Sequence, residues 1–390
     1  MNEHVPYVQS TLPQGIRSRL VDNNNGCAMH VLEAGYENPG RPCVVLLHGF
    51  PELAFSWRKQ LTFLAAAGFH AVAPDQRGYG RSCGTDVAFA ADLLPYTFLN
   101  RVSDTLGLVN ALGHDQVACV VGHDYGSPVA AWCALVRPDV FRSVVLMSAP
   151  FEGAPVLPVH TGAAAVQAIA SQRAGLPDAL ARLGPPRKHY RWYYSTPDAN
   201  ADMWHCPQGV HDFLRAYYHF KSGDWAGNRP FRLESLSASE LAKMPTYYVM
   251  ELAKSMAETV APQMPSAAEI AACEWLTDEE LSVYAAEYGR TGFQGGLQSY
   301  RVGTDTRYAA ELRAFSGRTI DVPAMFISGA RDWGSYQAPG ALERMTGEVC
   351  SRMVGTHFVE GAGHWVQQES PDEVNRLLGA FLQHAGPSQP

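Results

Sequence analysis

No Cys-x-x-Cys pair occurs in this sequence. Its eight cysteines, at 27, 43, 83, 119, 133, 206, 273 and 350, are scattered over 390 residues. That excludes a cysteine-rich zinc site and offers no disulfide framework, so the thiols are expected to be small buried apolar groups. No basic block offsets the formal net charge of −8, which argues against a nucleic-acid partner. The opening MNEHVPYVQSTLPQG has no basic stretch followed by an apolar run, so no secretory leader is expected. No run of eighteen apolar residues is present, so no membrane span is expected either. The expectation is a cytoplasmic protein, with apolar content of 46% and charged content of 17% placing it among globular chains.

What the chain does have is alternation. CVVLLH (43–48), HAVAPD (70–75), VACVVGHD (117–124) and SVVLMSA (143–149) read as buried strands. Between them lie helical patterns at 57–68, near 97–112 and at 128–141. Continuous apolar strands alternating with helices suit a doubly wound, mostly parallel α/β sheet. From 151 to about 318 no comparable strand series occurs. HDFLRAYYHF, YYVMELAKSMAETV, AAEIAACEWL and DEELSVYAAEYG read there as helices, and the segment holds eleven of the seventeen tyrosines. At VPAMFISG (322–329) the strand signal returns, followed by a helix within 336–346, a strand near HFVEGAG and a last helix, PDEVNRLLGAFLQH. The reading is one α/β core, 1–150 plus 319–390, interrupted by a helical insertion, 151–318. The tail GPSQP is expected to fray.

Chemistry in open α/β sheets gathers beyond the carboxyl ends of the strands. Asp124 lies at one such end, between Gly122 and Gly126, Asp332 just past VPAMFISG, and His364 in GAGHW past the last strand. Nucleophile, acid, histidine is the chain order of an α/β-hydrolase triad. The absent residue here is a serine: the corner holds an aspartate. A carboxylate, with a reference pKa of about 3.9, is already ionised and needs no base to activate it. It suits direct attack at saturated carbon, giving an alkyl ester. His364, oriented by Asp332, is then free to activate water against that ester. The N–H groups of Phe50, in HGFP, and of Tyr125 would form an oxyanion hole for this second step. His48 and His123 are expected to brace loops, and Asp75 and Arg77 to form a loop-stabilising pair.

HGFPELAFSWRKQ, DQRGYGRS, VGHDYGS and GAGHWVQQESPDEVNRLL resemble the blocks of soluble epoxide hydrolases of the α/β-hydrolase superfamily. WLTDEELSVYAAEYGRTGFQGGLQSYR (275–301) resembles that family's second cap segment. The resemblance spans roughly 15 to 385 and is weakest from 225 to 272. It implies a helical cap over the core and two cap tyrosines that donate to the ring oxygen of an epoxide. Tyr300, in GGLQSYR, matches the second. Tyr190, in KHYRWYY, matches the first by its aromatic spacing, with Tyr193 as its competitor. Trp57, Tyr193 and Trp365 are expected to line the substrate site. The resemblance also implies an apolar epoxide and water as substrates, no metal or organic cofactor, and a monomer or homodimer. Two departures stand out: Tyr125 where many relatives carry tryptophan, and Ser127 where glycine is common.

The alternatives are a haloalkane or haloacid dehalogenase on the same fold, or a ligand-binding protein that kept the fold and lost catalysis. Tyr125 offers no indole N–H to a halide, and Tyr-Gly-Ser-Pro at 125–128 offers no arginine to a haloacid carboxylate. Every triad position is filled, which disfavours the inactive reading.

Overall fold

The computed structural model describes residues 11–157 and 174–385. The GPSQP tail and its expected fraying, the first ten residues and part of the predicted insertion lie outside them. Eight strands form one sheet in the order β1-β2-β4-β3-β5-β6-β9-β10. They are β1 (Arg17–Asp22), β2 (Ala28–Ala34), β3 (Cys43–Leu47), β4 (His70–Pro74), β5 (Val117–His123), β6 (Val144–Met147), β9 (Ala324–Gly329) and β10 (Met353–Val359). From β4 to β10 every neighbouring pair is parallel; β1 and β2 pair antiparallel, as do β2 and β4. β3 and β9 are wholly buried, and β5 is buried at every residue but Ala118, as the continuous Val, Leu and Ile runs require of strands covered on both faces. This is the predicted α/β-hydrolase class.

Helices α1 (Arg58–Ala66), α2 (Phe98–Ala111), α3 (Gly126–Val136) and α8 (Pro371–Ala385) accompany this sheet. α3 stops at Val136 rather than running to 141, because Pro138 cannot continue the hydrogen-bond ladder. β1 and β2 were not expected. Arg17 and Arg19 of β1 both pair with Glu33 of β2, so charge rather than an apolar run marks this edge.

Between β6 and β9 the chain contributes α4 (Tyr190–Tyr193), α5 (Gly209–Lys221), α6 (Asp278–Thr291), α7 (Gln294–Thr304) and several shorter helices. It also contributes a two-stranded antiparallel sheet, β7 (Arg187–His189) with β8 (Val249–Glu251). That corrects the reading of YYVMELAKSMAETV as one helix. Its Tyr-Tyr-Val-Met start favours extended backbone. The helix begins only at Met256–Val260, behind a capping box of Ser255 and Glu258. AAEIAACEWL likewise is helical only over Ala267–Ala272. One apolar cluster runs from the sheet into this segment, joining Phe50, Trp57 and Met147 to Tyr190, Tyr217 and Tyr300. No helix among the described residues is long and apolar enough to cross a membrane. All eight cysteines are free, and six of them are buried.

Candidate active site

The turn from β5 into α3 is made by Asp124, whose φ of 50° lies in the left-handed region that L residues avoid. Such strain persists where the surroundings over-determine it. A Cβ at Gly122 would collide with the Gly126 carbonyl, and one at Gly126 with the Leu47 carbonyl, so the corner can be this tight only with glycine at both places. The Phe50 N–H donates to Asp124 Oδ1 at 2.9 Å. On the other oxygen, His364 Nε2 stands 3.3 Å from Oδ2. That approach lacks the alignment of a hydrogen bond, and the buried Nε2 has no other protein partner. It is a charge contact rather than a directed bond.

His364 is held from every side. Its Nδ1–H donates to Asp332 Oδ1 at 3.0 Å, and its backbone N–H donates to the Lys221 carbonyl at 2.9 Å. Its own carbonyl accepts from His123 Nε2 at 2.7 Å and from the Ser148 hydroxyl at 3.1 Å. Asp332, past the end of β9, accepts from the Gly334 N–H at 2.7 Å and the Ser328 hydroxyl at 3.2 Å. Burial and Lys221 disfavour a proton on His364, but Asp332 and Asp124 on its two sides outweigh them and raise its pKa. Burial opposes ionisation of both carboxyls; His364 and Lys221 nonetheless hold Asp124 and Asp332 below the usual carboxylate range. The three side chains therefore carry two negative charges around one imidazole.

The rings of Tyr300 and Phe50 lie 5.5 Å apart, and those of Tyr300 and Tyr125 5.9 Å apart. The Tyr190 ring sits 5.9 Å from that of Tyr300. Burial, with Asp124 next, pushes the Tyr300 phenol well above its usual pKa, and burial raises Tyr190 against the pull of Arg191. Both phenols thus keep their protons and can donate. The Tyr125 hydroxyl donates to the Ser299 carbonyl at 3.2 Å. Tyr125 is the N-cap of α3, at the end of a helix where the first N–H groups have no intrahelical acceptor.

Not every predicted residue gathers here. Tyr193 turns its hydroxyl to Asp202 at 2.8 Å, and its place against Tyr300 is taken by Tyr194, with ring centroids 4.9 Å apart. One residue along a helix rotates a side chain by about 100°, and the aromatic pair 193–194 left that choice open. Trp57 is wholly buried in the apolar cluster, with an indole N–H that finds no acceptor. Trp365 packs its ring 4.7 Å from that of His364 and donates to the Tyr218 carbonyl. Arg77 pairs with Asp104, whereas Asp75 pairs with His30 at 2.8 Å, so the two brace different loops rather than each other. His48 does brace its loop, bonding the Gly49 carbonyl at 2.8 Å.

Three contributors were missed. Lys221, at the end of α5, is buried with its ammonium 5.2 Å from the ring centroids of both Tyr248 and Trp365. Its place at helical spacing from Tyr217 in HDFLRAYYHFK was the available signal. Glu52 ties His123 Nδ1 (2.6 Å), the Gly49 N–H (3.0 Å) and Gln367 Nε2 (2.8 Å) together, joining three loops of the site. Glu369 accepts from the N–H groups of Gly223, Gly363 and Trp365 and so fixes the His364 loop. A cavity of about 260 Å³ bounded by Arg215, His219, Asp224, Glu269, Cys273 and Trp275 shares none of the triad or phenol residues. No group of side chains that could hold a metal ion occurs among the described residues.

Residues 42–197 match the α/β-hydrolase fold family. The chain is similar to epoxide hydrolase B of Mycobacterium tuberculosis, 33% identical, with 92% of this chain and 96% of that protein covered. Epoxide hydrolase A of the same organism is 34% identical over 93% of this chain and 96% of its own length. Among solved structures, an epoxide hydrolase from an endophytic Streptomyces superposes with a TM-score of 0.75 at 34% identity, covering 95% of this chain and 96% of that one. Epoxide hydrolase A from Mycobacterium thermoresistibile gives 0.71 at 31% identity, over 94% and 98%.

Proposed function

The chain belongs to the epoxide hydrolase family of the α/β-hydrolase superfamily, and from that premise we propose that it converts an apolar epoxide to a vicinal diol through an ester on Asp124. The carrying observation is the division of labour on one carboxylate. Oδ1 is held by the Phe50 N–H, and Oδ2 is turned to His364. The segment between β6 and β9 acts as the cap, and Tyr190 and Tyr300 within it hold the ring oxygen. An alkoxide is a poor leaving group, so a phenol donor is needed as the C–O bond breaks.

Oδ2 attacks a ring carbon from the side opposite the phenols. Oδ1 becomes the ester carbonyl oxygen and already sits on its donor, so no reorganisation is needed when negative charge develops there. His364 then removes a proton from water, which attacks the Asp124 carboxyl carbon. Phe50 and Tyr125 N–H groups receive the oxyanion. The phenol of Tyr125, engaged with Ser299, offers a halide no donor, which disfavours the dehalogenase reading. Diol formation from styrene oxide, with no chloride or bromide release from haloalkanes, is the expected result; halide release without diol would reverse the assignment.

Tyr300→Phe is expected to slow ester formation by roughly 10- to 100-fold, the scale of a lost hydrogen bond to an oxygen that gains charge, and to leave ester hydrolysis nearly unchanged. Rapid-mixing single turnovers separate the two steps. The pH dependence has a sign of its own. Asp332 and Asp124 together raise the His364 pKa, so loss of either charge lowers it. Ester formation neutralises Asp124. Imidazole in the ester therefore releases its proton at lower pH than in the free enzyme, when it must act as a base. Ester decay should rise with pH and level off below the midpoint found for the His364 ring by NMR in the free enzyme. Coincident midpoints would contradict this coupling.

A further inference from the structure

Arg191 follows Tyr190 directly and is exposed, yet its guanidinium is engaged with the site. Its Nε–H donates to the Tyr190 hydroxyl oxygen at 3.3 Å, and its Nη2 to Gln337 Oε1 at 3.4 Å. The Tyr190 O–H donates to that same Gln337 oxygen at 3.2 Å. The amide oxygen thus accepts from both neighbours, and the phenol oxygen accepts from the cation. A carboxylate charge that reaches the guanidinium is that of Glu152. The Arg191 charge also reaches Tyr300, but among the described residues no cation donates a hydrogen bond to the Tyr300 hydroxyl; Asp124 and the rings of Tyr190, Tyr194 and Phe50 face it. The two phenols therefore differ in that only Tyr190 is in hydrogen-bond contact with the guanidinium.

We propose that Tyr190 is the phenol that gives up its proton at ring opening, that Tyr300 only holds the oxygen, and that Arg191 is the positioning residue that stabilises the Tyr190 phenolate. This rests on the reading of Asp124 as nucleophile toward an epoxide. The balance closes. As Oδ2 bonds to carbon, the C–O electron pair leaves on oxygen and takes the Tyr190 proton; phenolate and guanidinium remain as an ion pair. Water then adds across the ester, the diol departs, Asp124 returns as carboxylate, and the proton carried on His364 goes back to Tyr190. Around Tyr190 stand His189 and Arg191 from its own turn, with Tyr194, Tyr248 and Tyr300 at ring distances of 5.5, 5.2 and 5.9 Å, and the charges of Asp124 and Asp332. Of these, Asp124 opposes a phenolate in the resting enzyme, but it becomes a neutral ester in the very step that forms one. Arg191 is then left as the cation in contact.

The test is a single turnover with excess enzyme, following ester formation, ester decay and phenolate absorbance near 295 nm. In Arg191→Gln, ester formation should fall about 10- to 100-fold, the range for a hydrogen bond to a charged group, with ester decay unchanged. Arg191→Lys should recover part of the loss. The phenolate signal should appear in the wild type, shrink in Arg191→Gln and vanish in Tyr190→Phe. Unchanged ester formation in Arg191→Gln would overturn the proposal, as would a phenolate signal that survives Tyr190→Phe. So would a loss confined to epoxides bearing a carboxylate, which would make Arg191 a substrate anchor instead. Absence of any ester in the wild type would overturn the Asp124 reading itself, so the two failures are told apart.

Discussion

Asp124→Asn should abolish turnover, with kcat reduced by roughly 10⁴-fold or more, as when the nucleophile of a covalent mechanism is removed. Asparagine is the informative replacement. It matches aspartate in size and tolerates a φ of 50°, so the corner between Gly122 and Gly126 should keep its shape. Alanine would add backbone strain and blur the result. What asparagine lacks is the charge. A neutral amide oxygen cannot open a C–O bond at a useful rate, and the Phe50 N–H would still find an acceptor. Unchanged thermal unfolding, together with no covalent adduct by intact-protein mass spectrometry, is the expected pair of results. Turnover within tenfold of wild type would mean that water attacks the epoxide directly.

His364→Gln should have the opposite signature. Ester formation needs no base, because the Asp124 carboxyl is held below its usual range and is already ionised. Hydrolysis needs one. Loss of the imidazole should slow ester decay by about 10³-fold, within the span of general-base effects, so the ester accumulates. The protein mass should rise by that of one epoxide after a stoichiometric mix. Removing His364 also withdraws positive charge that helps keep Asp124 ionised, so ester formation should weaken toward acid pH. A variant blocked in both steps, with no adduct, would show that His364 is needed before the ester and would break the two-step scheme.

How much of this was legible in the chain depends on how local each signal is. Asp124, His364 and Asp332 sit at ends of apolar strands, and strand ends are where a parallel sheet gathers its chemistry. The structure brings the three together, with Phe50 on the same carboxylate. The Asp75–Arg77 pairing was misjudged because sequence nearness is weak evidence for an ion pair: Arg77 reaches across to Asp104 on α2. Tyr193 and Tyr194 are adjacent aromatics, and only packing decides which one faces Tyr300. β1 and β2 escaped notice because their pairing relies on Arg17, Arg19 and Glu33. Lys221, Glu52 and Arg191 were missed for a shared reason. Each acts through a partner far along the chain or through a neighbour's hydroxyl; only Lys221 carried a local mark, its helical spacing from Tyr217.

The central claim, that a carboxylate oxygen of Asp124 ends up in the product, can be read from one turnover in ¹⁸O-water with enzyme in excess over epoxide. The prediction is a first diol without label, and label in the peptide that carries Asp124. Labelled diol from that first turnover, with an unlabelled Asp124 peptide, would contradict it.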